Sequence, residues 1–187
     1  VALLRSMFGI AYNSAAHIVF LKLAPIACDL LGALIVYRFA QKRLGDVAAL
    51  LLGGFYALNP AVIIDSAAWG QIDSVLTLAI VVCALELVKG RYLAALPAFA
   101  VAVLIKPQAL LFAPLGLAAV VVRVAVSKSA RRDAVLAAGG AGLALLLMYL
   151  VALPFSLANG AGFSLLQPAR WLWNLYANTF QGYRYMT

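Results

Sequence analysis

The chain has 187 residues, 66% of them hydrophobic and 11% charged, with a mean hydropathy of +1.04. Soluble domains run at about 45–50% apolar and about 25% charged, so this excess is more than a globule of the size can bury; a soluble fold, a disordered chain and a disulfide scaffold are excluded. The net charge of +8 falls between hydrophobic runs and not on an aromatic-studded patch, so it is a matter of membrane topology, with no nucleic acid as partner.

A helix that crosses the bilayer needs about 20 apolar residues, fewer where it is tilted, re-entrant or covered by neighbours. Six segments qualify and predict an all-α polytopic transmembrane helical bundle, read as a single domain over residues 1–187. The first runs from His17 to Ala40 and holds Lys22 and Asp29 on one helical face, seven residues apart. An acid at that depth is either functional or paired, with Lys22 or with a polar group on a neighbouring helix. Cys28 here, and Cys83 further on, sit in apolar runs and read as small buried hydrophobes.

The second segment, Val47 to Ile64, leads into the densest polar stretch of the chain, from Asn59 to Ser74. Asn59-Pro60 reads as a helix stop. Asp65, Ser66, Trp69, Gln71, Asp73 and Ser74 follow, and carboxylates at membrane depth cost about 2.5–3.5 kcal/mol unless water or a ligand meets them. Trp69 suits an interfacial anchor or a stacking surface for a sugar, and Asp73-Ser74 suits a helix cap or a binding group.

The third and fourth segments, Ser74 to Val88 and Tyr92 to Ile105, are only 15 and 14 residues long. Such short helices need water or protein near one end, which implies short or re-entrant elements at a stepped membrane face. Glu86 and Lys89 between them read as a surface ion pair. Lys106-Pro107-Gln108 then interrupts the apolar sequence; the lysine either snorkels or neutralises a phosphate at headgroup level. The fifth segment, Ala109 to Val126, and the sixth, Ala134 to Leu157, complete the set. Gly139, Gly140 and Gly142 in the last favour close helix contact, since the chain has no phosphate-binding glycine motif. One His excludes a His-rich metal site, and neither a metal nor a cofactor is expected. The tail, with Trp171, Trp173, Tyr176, Tyr183 and Arg184, combines an aromatic belt with a polar run suited to a sugar phosphate.

Nine of the fourteen basic residues lie in the connections after the first, third and fifth segments, which the positive-inside bias assigns to the cytoplasm. Alternation then sends the Asn59–Ser74 stretch, Lys106-Pro107-Gln108 and the tail to the opposite, external side.

Asn59-Pro60, Asp65-Ser66, Trp69-Gly70-Gln71-Ile72-Asp73-Ser74, Lys106-Pro107-Gln108 and Tyr183-Arg184-Tyr185-Met186-Thr187 together resemble bacterial relatives of GPI mannosyltransferase II, in the GT-C class of membrane glycosyltransferases. The resemblance implies transfer of a sugar from a polyprenyl-phosphate donor on the outer face of the bacterial plasma membrane. A lipid-linked sugar phosphate and membrane lipids are then the partners. It also implies that the catalytic base lies upstream in a longer protein of which this chain is an internal segment, leaving Asp65 and Asp73 as supporting groups. Trp69, Gln71, Lys106, Gln108, Tyr183 and Arg184 become the substrate-binding candidates. The competing reading is a transporter or channel subunit whose intramembrane acids, Asp29, Asp65 and Asp73, line an ion path.

Overall fold

The computed structural model describes residues 14–157 and 164–184, the last two as backbone only. Among these residues every regular element is helical: α1 (Ala15–Leu44), α2 (Asp46–Ala57), α3 (Pro60–Ile63) running on into a π-helical turn (Ile64–Trp69), α4 (Asp73–Val88), α5 (Tyr92–Ile105), a 3₁₀ turn (Pro107–Phe112), α6 (Ala113–Val126), α7 (Ala130–Leu157) and α8 (Gln167–Arg184). The all-α bundle expected from composition is what forms. Three stretches are long and apolar enough to span a bilayer, Ala15–Leu44, Pro107–Val126 and Ala130–Leu157. A fourth is the pair Asp46–Ala57 and Pro60–Trp69, bent by 42°. The predicted second segment is therefore broken inside its span, at Leu58-Asn59, because Asn59 caps a new helix and Pro60 cannot continue the old one.

The chain divides into two compact units between Leu78 and Ala79, inside α4. In the first unit α1 and α2 form the principal helix pair, joined through Gly45 at φ 83°. Small residues set how closely they pack. A Cβ on Gly53 of α2 would stand 3.1 Å from Tyr37 Cβ and 3.2 Å from the Ala33 carbonyl of α1, and one on Gly32 would meet the Tyr56 hydroxyl at 3.1 Å. Without a hydrophobic force between helices in lipid, such close approach is what holds them. Asp29 lies on the inner face of α1, 7% exposed, with its Oδ2 lacking a hydrogen-bond partner. Lys22 does not reach it, since its ammonium bonds elsewhere, as described below.

In the second unit α5 packs along α7. Gly140 permits this contact: a Cβ there would fall 2.4 Å from the Tyr92 carbonyl oxygen. Gly139 has tight but side-chain contact with Leu93, whereas nothing lies within 4 Å of a Cβ on Gly142. The close-contact role expected of three glycines thus falls on the first two. Cys83, Leu87, Tyr92 and Ala95 form the buried apolar cluster where α4 and α5 meet. Cys83 is buried as expected, and Cys28 in the first unit is half-buried.

Candidate functional site

The polar sequence after α2 folds as a single broken turn. Asn59 Oδ1 accepts from the Ala61 amide at 2.9 Å, and Pro60 takes the first helical position, where a missing N–H leaves no bond unmade. The buried Ser66 hydroxyl donates back to the Val62 carbonyl at 2.9 Å. Such back-bonding loosens a helix, and here the backbone opens into the π turn. Gly70 ends that turn in the left-handed region, φ 71° and ψ 32°, and the Asp65 carbonyl accepts from the amides of both Gly70 and Gln71, the second at 2.9 Å.

Lys22 closes the arrangement from α1. Its Nζ donates to the Ala68 carbonyl at 2.8 Å, while its stem lies against Gly70, where a Cβ would be 3.3 Å from Lys22 Cγ. Trp69, 75% exposed, and the exposed Gln71 are thereby held outward on an ordered backbone. Asp65 and Asp73 are half-buried. Asp73 is the first residue of α4, where a carboxylate faces the positive end of the helix dipole.

The second unit carries its own polar turn. Lys106 precedes a proline and is accordingly extended, φ −144° and ψ 126°. Its amide donates to Ala102 O and its carbonyl accepts from the Ala109 amide, both at 3.0 Å, so that Pro107 starts a 3₁₀ turn that leads into the fifth span. Lys106 is half-buried and Gln108 exposed. Next to this turn the Tyr176 hydroxyl of α8 donates to the Val103 carbonyl at 3.3 Å, and burial pushes its phenol above the ordinary value. Trp171 stacks on Phe155 of α7 with ring centroids 5.6 Å apart, so it is packed on protein, whereas Trp173 is 74% exposed. Tyr183 and Arg184 end α8, but their side chains, with Tyr185 to Thr187, lie outside the described residues.

The structure thus brings Lys22, Asp65, Trp69, Gly70 and Gln71 into one turn, and Lys106 and Gln108 into another. Sequence reasoning named Lys22 and Ser66 but not the tasks they take in this turn. The signal for Lys22 was an α1 lysine on the side of the chain opposite the basic connections; for Ser66 it was a small hydroxyl ahead of Trp-Gly.

Apolar helices interrupted by ordered polar turns define a helical membrane protein, multi-pass and integral. The chain belongs to a family described as GPI transamidase subunit PIG-U, whose sequence model matches residues 1–183. No curated protein and no solved structure matches it. This membership overturns the expected glycosyltransferase activity, because the family is that of a transamidase subunit. The physical reason the resemblance misled lies in what its residues build. Asn59 and Pro60 start a helix, Gly70 ends one and Asp73 opens the next. These are turn-making tasks, which two families can share without sharing a reaction.

Proposed function

We propose that this chain is a membrane-embedded, non-catalytic subunit of a GPI transamidase, and that each of its polar turns, by itself, contacts a lipid-linked glycan for partner subunits that perform the chemistry. In the first unit Trp69 offers an indole face to a sugar ring and Gln71 an amide to that ring's hydroxyls; in the second, Gln108 offers an amide to a sugar hydroxyl. Lys106, with Tyr183 and Arg184, neutralises and hydrogen-bonds a phosphate of the glycolipid. Asp65 and Asp73 support the first turn. The observation that carries this reading is the exposed Trp69-Gly70-Gln71 corner, locked from behind by Lys22. Exposed polar and aromatic groups on a fixed backbone bind with little ordering cost.

The test is complementation in cells that lack their own copy of the subunit, with a GPI-anchored surface reporter. The double variant Trp69→Ala/Gln71→Ala should assemble with its partners at the wild-type level yet anchor the reporter at least about tenfold less, the effect of roughly 1.4 kcal/mol. Full anchoring by that variant would contradict the role.

A further inference from the structure

Within the second unit an apolar groove of about 510 Å³ opens between α4 and α6. Its lining includes Ile80, Ala84 and Leu87 on α4 and Gly116, Ala119 and Arg123 on α6, each set at the spacing of one helix face. On the α6 side the lining runs from Phe112 to Val126, about 21 Å at roughly 1.5 Å per residue, a length suited to an extended hydrocarbon chain. Nothing lies within 4 Å of where a Cβ on Gly116 would be, so the groove is open at its middle.

One lining residue is charged. Arg123 is half-buried and belongs to no ion pair among the described residues, while its neighbours Lys89 and Arg91 both pair with Glu86. Its guanidinium rests on Gly90, where a Cβ would come within 2.9 Å of Nη2, and Gly90 adopts φ 74°. A side chain at that position would displace the cation from the groove mouth. A cation without a counter-charge, fixed at the end of an apolar groove and on the side of the basic connections, is complementary to one kind of abundant membrane molecule. Basic pockets between membrane helices take anionic lipid headgroups.

We propose that this groove binds one anionic glycerophospholipid, an acyl chain lying along α4 and α6 and the phosphate at Arg123. Neither Lys106 nor Gln108 is among its lining residues, and the proposal stands whether or not the polar turns hold a glycan. The occupant is a lipid because the groove supplies a long apolar track and a single cation, and the leaflet supplies both complements in one molecule.

Native mass spectrometry of the delipidated full-length protein, titrated with phosphatidylglycerol and with phosphatidylcholine, tests it. Wild type should retain one phosphatidylglycerol with about fivefold preference, the discrimination one basic residue gives at a membrane surface. Arg123→Gln should lose the preference, Gly116→Trp should lose retention of both lipids, and Gly116→Ala should keep both. Equal retention of the two lipids by wild type, or undiminished retention by Gly116→Trp, would overturn the proposal. Should the tryptophan variant fail to fold, a photo-crosslinking residue at position 119 in intact membranes decides it: an adduct with phospholipid supports the site, and an adduct with a protein overturns it.

Discussion

Gly70 and Lys22 constrain each other, and that pair sets the first polar turn. A non-glycine residue in the left-handed region costs about 1–2 kcal/mol. At Gly70 the added methyl would also press on the Lys22 stem at 3.3 Å. Gly70→Ala should therefore lower the thermal midpoint of the purified protein, whereas Gly54→Ala, where a Cβ meets nothing and the helix is regular, should raise stability by about 0.5–1 kcal/mol. Thermal unfolding in detergent checks both, and equal effects from the two substitutions would contradict the account. This coupling was not legible beforehand. Lys22 and Asp29 share a helix face, which left their pairing open, but a long flexible lysine takes the best acceptor in reach and found a carbonyl 46 residues away.

Among the elements, α5 and α7 depend on Gly140 for their separation. A Cβ there would overlap the Tyr92 backbone, which cannot move aside as a side chain can. Gly140→Ala should destabilise the second unit by about 1–3 kcal/mol, the usual cost of overpacking, and Gly142→Ala should not. Proteolysis of the two variants under increasing denaturant compares them, and a neutral Gly140→Ala would refute the contact. The sequence located the short helices well: Ser74 to Val88 and Tyr92 to Ile105 were expected, and Asp73–Val88 and Tyr92–Ile105 are seen. Apolar runs bounded by Lys, Gly and Arg leave little choice of boundary. The helix stop expected at Asn59-Pro60 is seen as well, although the second segment was carried past it to Ile64, and the 3₁₀ start of the fifth span at Pro107 was not foreseen. The helical character of α8 was also legible and went unread. Its protected positions, 167, 168, 171, 172, 176, 177 and 179, recur with helical period, but they are mixed with aromatic and polar groups that suggested a belt.

For the whole molecule, the large apolar side chains left uncovered by protein, such as Val47, Phe55 and Leu111 at 76%, 75% and 81% exposure, are the surface a membrane helix presents to lipid or to another membrane helix. Fold class followed from composition because so many apolar residues admit one solvent. Activity did not follow, because the residues that carried the resemblance are the ones that build turns, and a turn records architecture before chemistry. The proposed role requires that the polar corner at Trp69–Gln71 face the compartment opposite the basic connections, where a subunit would meet a glycan headgroup. The most direct measurement is sided labelling of single cysteines, Lys42→Cys and Gln71→Cys, in sealed vesicles after Cys28 and Cys83 are replaced by alanine. Labelling of position 71 from the side opposite position 42 is the predicted result. Labelling of both from the same side would contradict it.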